Sequence, residues 1–313
     1  MKLRFSKRQG SPRGSALLAV IWLISILALA AMTAIQVVEF DSEIAGAQIH
    51  GFRARQLAEM GIAVAANPAI KRSDPLLHQM SDETGEGFEA RIISEGQKFN
   101  INAILMKGDK QLLQKIFGDW GLSIDEAQAQ IDALTDWIDT NDEVSTNGAE
   151  SKWYLDQGRI NQPFNRPFYN LEEMRMVRGM DKVEALKPDW RDWFTIWSSG
   201  NLDLNEASAE LIAAAAEIPV EQADVIPQAV IGPDGIRDTQ DDKPFPDLAS
   251  ALTAIGIDAQ TRPNITSRLT VNDPTMRLES TGTVAGAKRR IVLILRNRTG
   301  RPAVLERTEE VIP

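Results

Sequence analysis

The sequence has no cysteine and only two histidines, His50 and His78, among its 313 residues. Without thiols the chain has neither a disulfide framework nor a thiolate metal site. Two histidines that nothing pairs give little support to histidine acid–base catalysis or to a metal site built from several histidines. The formal net charge is −10, which disfavours a nucleic-acid partner because phosphates would be repelled. These absences leave structural, membrane and carboxylate-based functions open.

One long hydrophobic run stands out, from Ser15 to Val38, with 24 residues and no charge. As a helix it would be about 36 Å long, enough to cross a bilayer. It exceeds the ~7–15-residue apolar core of a secretory signal peptide. The preceding segment carries five basic residues and no acid: Lys2, Arg4, Lys7, Arg8 and Arg13. The positive-inside rule predicts a cytoplasmic N-terminus, a single transmembrane helix over 15–38, and a soluble part on the other side of the membrane.

Gly14 separates this basic leader, residues 1–14, from the hydrophobic run. The arrangement resembles the prepilin class of signal, in which a peptidase cuts after the glycine and the apolar segment stays in the mature protein. Glycine leaves the bond unobstructed, and Pro12 disfavours helix just upstream. The resemblance implies cleavage between Gly14 and Ser15 and N-methylation of Ser15. Loss of the five basic residues would take the net charge from −10 to −15. A glycine that only separates leader from anchor is the alternative.

Helical spacing of apolar residues continues to Ala66, shortly before Pro68, and predicts one helix over 15–66. Separate helices joined near Gly46 or Gly51 are the alternative. The segment FEARIISEG reads as a half-buried strand, and its partners MRLESTGTVAG and KRRIVLILRNRTG come much later in the chain. We therefore predict an α+β fold. A small antiparallel sheet, from residues 67–101 and 271–300, is split by a helical insertion over 102–270, and residues 301–313 form a mobile tail.

Four segments of the insertion show helical spacing, with Ser123 and Asn205 as predicted N-caps: DKQLLQKIFGDWG, SIDEAQAQIDALTDWID, NLEEMRMVRG and NEASAELIAAAAE.

Two acidic loops in the insertion are candidate calcium sites. The loop that runs from Asp139 to Glu150 places oxygen side chains at the spacing of an EF-hand loop, although Val144 stands where that loop requires glycine. The candidate ligands there are Asp139, Asn141, Glu143 and Glu150. A second turn, GPDGIRDTQDDKPF, crowds four carboxylates that repel one another unless a cation intervenes: Asp234, Asp238, Asp241 and Asp242. A solvated acidic loop is the competing interpretation of both segments.

Several segments together resemble the K-type minor pseudopilin family of the type II secretion system. They occur in the order KFNINAILM, LTDWIDTNDEVSTNGAESKWYL, QPFNRPFYNLEEMRMVRGM and SSGNLDLNEASAELIAAA. With the prepilin-like N-terminus, the similarity runs over nearly the whole chain. The resemblance implies a pseudopilin fold with a long N-terminal transmembrane helix, a small antiparallel sheet and a large inserted all-helical domain. It also implies calcium in the inserted domain and no enzymatic activity.

Counted from Ser15, the fifth residue is Ala19, where most pilins and pseudopilins carry a glutamate. A carboxylate in lipid is costly unless it is paired, and filaments pair it with the terminal amine of a neighbouring subunit. The K-type family shares this lack and is placed at the pseudopilus tip, where it helps initiate assembly. The implied partners are I- and J-type minor pseudopilins, other pseudopilins, the inner-membrane assembly platform and prepilin peptidase. The implied location is the inner membrane, with the soluble part in the periplasm.

Two other functions remain open on the sequence alone. A minor pilin of a type IV pilus would share the prepilin-like start. A membrane-anchored periplasmic hydrolase would use a pair of carboxylates, and the seven tryptophans are compatible with carbohydrate binding as well as with core packing.

Overall fold

The computed structural model describes residues 13–312, so residues 1–12 of the predicted leader lie outside the described part of the chain. The fold is built on one helix, α1, which runs without a break over Arg13–Ala66 and has 54 residues. Residues 17–38 of this helix are uncharged and exposed, and among the described residues α1 is the one helix with the length and hydropathy to cross a membrane. The prediction of a single long helix is thus confirmed, and Gly46 and Gly51 do not interrupt it.

The second half of α1 packs on a five-stranded antiparallel sheet in the order β1-β2-β7-β8-β9. The strands are β1 (His78–Met80), β2 (Gly87–Ser94), β7 (Thr275–Val284), β8 (Ala287–Arg296) and β9 (Ala303–Ile312). The predicted strand β2 and the predicted hairpin β7–β8 are present, with β2 paired to β7 from Gly87↔Thr283 to Ser94↔Met276. The mixed α+β prediction is therefore confirmed.

Small residues bring α1 close to the sheet. A Cβ added at Gly282 of β7 would lie 2.0 Å from the carbonyl oxygen of Ala54, and one at Gly61 would lie 2.1 Å from Ser280 Oγ. Ala58 on α1 is fully buried against Phe88 and Leu278. The close approach excludes water from a core that α1 and one face of the sheet share.

Arg298 fastens the far end of α1 to the turn between β8 and β9. Its guanidinium donates hydrogen bonds to the carbonyl oxygens of Ala65 (2.7 Å), Asn67 (2.5 Å) and Ile70 (2.6 Å). These bonds satisfy carbonyls at the C-terminal end of the helix and just beyond it.

The chain between β2 and β7 forms a second body with its own core, which runs from Phe99 to Leu269 and includes the fully buried Trp137 and Trp190. Its α-helices are α2 (Ile101–Lys107), α3 (Lys110–Asp119), α4 (Ile124–Ile138), α5 (Ser151–Asp156), α6 (Met180–Leu186), α7 (Ala209–Ala216), α8 (Val220–Ala223), α9 (Val225–Ile231), α10 (Leu248–Ala254) and α11 (Pro263–Thr266). Two pairs of two-residue parallel strands complete it: β3 (Phe99–Asn100) with β4 (Phe194–Thr195), and β5 (Leu202–Asp203) with β6 (Leu269–Thr270).

Several local predictions are corrected. The predicted mobile tail over 301–313 is wrong, because Ala303–Ile312 form β9, which adds ten residues to the sheet as an edge strand. The segment NLEEMRMVRG forms a short 3-10 helix over Leu171–Met176 instead of an α-helix. The cap of α7 is Ser208, whose hydroxyl accepts from the Leu211 amide, and not Asn205. Ser123 does cap α4, in a reciprocal capping box with Glu126.

Candidate metal centre

Three carboxylates converge where α4 ends and α5 begins. One oxygen from each of Asp136, Asp139 and Glu150 lies within 4.8 Å of the others. Asp136 belongs to the last turn of α4, Asp139 is its C-cap residue, and Glu150 is the residue before α5. Helical spacing explains the first pair, because residues three apart lie on the same face of a helix. The loop over 140–149 brings the third carboxylate back to the other two.

Glu150 is the most unusual member of this cluster. Its side chain is 2% exposed, yet neither carboxylate oxygen accepts a hydrogen bond. It precedes α5 in the capping position, but its side chain makes no bond to the helix amides. Burial and then the charges of Asp136, Asp139 and Asp142 raise the pKa of Glu150 to about 7. A buried carboxylate without a partner is costly, and a cation bound at this cluster would supply the missing partner.

The loop is built to hold Asp136 in place. Both oxygens of this buried carboxylate accept from the Ser145 amide, at 3.1 and 3.3 Å. Gly148 passes so close that an added Cβ would lie 1.9 Å from Asp136 Oδ2. Arg178 donates to the Gly148 carbonyl at 2.9 Å from the other side. Position 148 therefore requires glycine, because any side chain there would clash with the carboxylate of Asp136.

Asp139 is less buried than Asp136 and Glu150. Burial raises its pKa, with the charges of Asp136 and Asp142 adding to the effect, while bonds from Asn141 oppose it. The Asn141 amide donates to Asp139 Oδ1 at 3.1 Å. The three oxygen-bearing side chains are hard ligands of the kind that calcium prefers, and the cluster fits that ion.

The predicted ligand set is only partly brought together. Asp139 and Glu150 meet, whereas Asn141 and Glu143 are exposed, and Glu143 lies outside the cluster of carboxylates. The side chain of Asn141 instead accepts from the Glu143 amide at 2.7 Å, which forms a local turn. Asp136 was missed because the EF-hand count starts at Asp139. The spacing of three along a predicted helix was the signal that could have found it.

The second predicted site does not converge. Within residues 13–312, no cluster of three or more acidic ligands occurs apart from the one at Asp136. Asp241 accepts from the Asp234 amide at 3.2 Å, and Asp242 accepts from the Asp238 amide at 2.8 Å. Asp238 lies 3.8 Å from the Arg72 guanidinium. Backbone amides and an arginine thus pair with these carboxylates in place of a metal ion.

Gly14 and Ser15, the predicted cleavage site, lie in the first turn of α1. Four of the seven tryptophans are buried in the core: Trp120, Trp137, Trp190 and Trp193. Trp137, for example, packs edge-on against Tyr154 and Phe164, at 5.3 and 5.2 Å between ring centroids.

The architecture defines the class of protein. A long apolar helix that packs on an antiparallel sheet, with a helical body inserted between two neighbouring strands, is a pseudopilin fold. A crystal structure of the GspK–GspI–GspJ complex of the type 2 secretion system of enterotoxigenic Escherichia coli contains a similar chain, with a TM-score of 0.59 and 16% sequence identity. The match covers 87% of this chain and 99% of that one.

Sequence comparison finds similarity to one family over part of the chain. Residues 97–188 match the first-domain model of type II secretion system protein K. The protein K of Klebsiella pneumoniae is 30% identical over 92 residues, which span 26% of this chain and 28% of that protein. These findings confirm the resemblance to the K-type minor pseudopilin family, and the family domain includes the whole candidate metal centre.

Proposed function

We propose that this chain is a minor pseudopilin that forms the tip of a type II secretion pseudopilus and helps initiate its assembly for protein export across the outer membrane. The observation that carries the proposal is the position of the inserted body. It leaves the sheet at Ser94 and returns at Thr275, at the end of the sheet where α1 also ends. This end is the one farthest from the apolar half of α1, so the inserted body occupies the space in which a further subunit would stack.

The membrane arrangement is part of the proposal. The apolar half of α1 spans the inner membrane, the basic N-terminus stays in the cytoplasm, and the sheet and inserted body lie in the periplasm. Prepilin peptidase then cuts between Gly14 and Ser15. A Gly14→Leu variant would remain as the longer precursor on a gel, whereas Gly10→Leu, in the leader, would be processed normally. Normal processing of Gly14→Leu would contradict the assignment.

Ala19 supports a position at the end of the filament. Its methyl group offers no acid to pair with the terminal amine of a neighbour. I- and J-type minor pseudopilins are the proposed partners in the tip, because the solved complex with the similar fold contains chains of those names. In this role the chain is a structural subunit without catalytic activity.

The test combines co-purification with filament assembly. The full chain is expected to co-purify with I- and J-type pseudopilins from detergent extracts, and deletion of its gene is expected to abolish pseudopilus initiation and secretion. An Ala19→Glu variant supplies the missing acid and is expected to appear along the filament as well as at its end. Ala19→Gln, of the same size without the charge, is the matched control. Secretion that survives deletion would contradict the proposal.

Calcium is the proposed ligand of the carboxylate cluster. Asp136, Asp139 and Glu150 would hold the ion, and its charge would offset the mutual repulsion of three acids. The ion would tie the last turn of α4 to the start of α5 and so order the loop between them. Calcium is therefore proposed to stabilise the inserted body.

A further inference from the structure

An exposed segment of the inserted body lies beside the carboxylate cluster. Residues 157–169, here called the surface segment, follow α5 and lead into the 3-10 helix over Leu171–Met176. Two of its large side chains, Ile160 and Tyr169, are mostly exposed. The segment lacks the repeated backbone hydrogen bonds of a helix or a sheet, so side-chain contacts determine its conformation.

Asn165 connects the surface segment to the loop between α4 and α5. Its side-chain Nδ2 donates to the carbonyl oxygen of Asn141 and to Asp142 Oδ1, both at 3.2 Å. Because both partners are acceptors, the nitrogen of this side chain must face the loop. Both acceptors belong to the stretch between Asp139 and Glu150, two members of the cluster. One asparagine therefore bonds to the loop whose two ends carry candidate ligands.

The same carboxylate oxygen of Asp142 is also held from α5. The Ser151 hydroxyl donates to Asp142 Oδ1 at 2.9 Å, and Ser151 is the residue after Glu150. Asp142 thus receives one donor from the residue next to a cluster member and another from the surface segment. A loop that moved away from Glu150 would take its acceptors away from Asn165.

The residues around Asn165 also pack on α4, next to the cluster. Phe164 lies edge-on to Trp137 with 5.2 Å between ring centroids, and Phe168 stacks on the same indole at 6.4 Å. Trp137 directly follows Asp136 in α4. The surface segment therefore contacts both the last turn of α4 and the loop that follows it.

The C-terminal end of the surface segment is anchored independently of the loop. Phe168 exchanges two hydrogen bonds with the side chain of Asn102 in α2, at 2.8 and 2.9 Å. Ahead of this anchor, the bonds of Asn165 are the side-chain hydrogen bonds that join the segment to the loop within residues 13–312. Order in the part of the segment before Phe168 therefore depends on Asn165.

Charge at the cluster affects the position of the loop. Without a cation, the negative charges of Asp136, Asp139 and Glu150 repel one another, which favours a wider spacing of the loop ends. A calcium ion held by the three carboxylates would replace that repulsion with attraction. The loop is thus the element whose order depends on the ion, and Asn165 is its contact with the surface segment.

We propose that Asn165 is a positioning residue that couples the carboxylate cluster to the surface segment, so that calcium at the cluster orders the segment. The inference rests on the proposed binding of calcium by Asp136, Asp139 and Glu150, and extends it to an exposed surface. Coupling of this kind is reciprocal, because the factor by which calcium favours the ordered segment is also the factor by which the ordered segment favours calcium binding. Occupancy of the cluster therefore controls the arrangement of large side chains on the outside of the inserted body.

The experiment measures the spread of one distance in the full chain, in detergent micelles. The chain has no cysteine, so Met106→Cys in α2 with Ile160→Cys in the surface segment provides two spin-label positions, both at exposed residues. Double electron–electron resonance is expected to give a narrow distance distribution in excess calcium chloride and a broader one in excess chelator. The reference pair, Met106→Cys with Ile124→Cys in α4, is expected to give the same distribution in both conditions.

Two matched asparagine substitutions test the coupling. Asn165→Gly removes the donor to the loop, whereas Asn161→Gly removes a side chain of the same segment that has no hydrogen bond to the loop in the described part of the chain. Asn165 and Asn161 both have a left-handed backbone, with φ of 48° and 61°, which glycine adopts without strain. Asn165→Gly is expected to give the broad distribution with and without calcium, and to weaken calcium binding roughly tenfold in titration calorimetry. Asn161→Gly is expected to keep both wild-type responses.

Three results would overturn the inference. Calcium binding in calorimetry without a narrower distance distribution would mean that the cluster holds the ion but is not coupled to the segment. A full response in Asn165→Gly would remove the role of this residue, and equal losses in Asn161→Gly and Asn165→Gly would assign the effect to general flexibility. Absence of calcium binding is distinguishable from these results, because it contradicts the proposed metal centre as well as the coupling.

Discussion

Replacement of Glu150 by glutamine gives the sharpest test of the candidate metal centre, because it removes one charge and preserves the size of the side chain. With calcium at about 100 times its dissociation constant, wild-type protein would gain about 2.7 kcal/mol. For a body of this size, that corresponds to a rise of roughly 5–10 °C in Tm. If Glu150→Gln weakens binding tenfold, the same calcium concentration would contribute only about 1.4 kcal/mol.

The sign of the effect reverses when calcium is removed. The pKa of Glu150 is raised to about 7, above the value of about 4.3 expected in the unfolded chain. A raised folded-state pKa contributes stability at low pH that is lost as pH rises through the folded value. Metal-free wild type should therefore lose stability between about pH 4 and 7, and Glu150→Gln should lose less. Above pH 7 in chelator, the variant should melt higher than wild type, although it melts lower in calcium.

The assay is thermal unfolding followed by circular dichroism, with excess calcium or excess chelator. Glu143→Gln is the control, because it removes an equivalent charge from the same loop but from outside the cluster. It should retain the full calcium response. Equal responses in the two variants, or no response to calcium in wild type, would refute the assignment of the cluster as a metal site.

Three further outcomes are expected. Gly282→Ala, in β7, places a Cβ against the carbonyl of Ala54 in α1. This variant should lower the free energy of unfolding by about 1–3 kcal/mol in urea titration. The control Gly46→Ala, which places its Cβ in open space on α1, should be neutral or slightly stabilising. Burial, followed by the charges of nearby acids, raises the pKa of Asp203 to about 6. The contribution of Asp203 to stability should therefore be lost as pH rises from about 4 to 6. Asp203→Asn should flatten that part of the profile of stability against pH, and an unchanged profile would contradict this. Truncation after Gly300 removes β9 and should reduce Tm by several degrees, since it uncovers the edge of β8; an unchanged Tm would restore the mobile-tail interpretation.

The elements that the sequence predicted are those with a strong apolar period. The run of 24 uncharged residues predicted α1, and alternation in FEARIISEG predicted β2. By contrast, β9 was missed because its central residues, ERTEE, are almost all charged and carry no alternating apolar pattern. An edge strand of this kind is defined by its pairing with β8, which a local pattern does not contain.

The candidate metal centre shows the same limit at the level of single residues. Counting along the acidic loop found Asp139 and Glu150, but it also selected Asn141, whose side chain is used in a local turn. Which oxygen atoms converge depends on where α4 ends and on the path of the loop. The unpaired, buried state of Glu150 arises from tertiary packing, which a local sequence pattern does not contain.

The split of the sheet has a consequence for biosynthesis. β2 leaves the ribosome long before β7, β8 and β9, and everything between them belongs to the inserted body. That body has a core of its own, so it can fold before β7, the strand that pairs with β2, has been synthesised. The sheet is completed last, when the ten residues of β9 have been synthesised. A prematurely terminated chain would therefore contain a folded inserted body and an incomplete sheet.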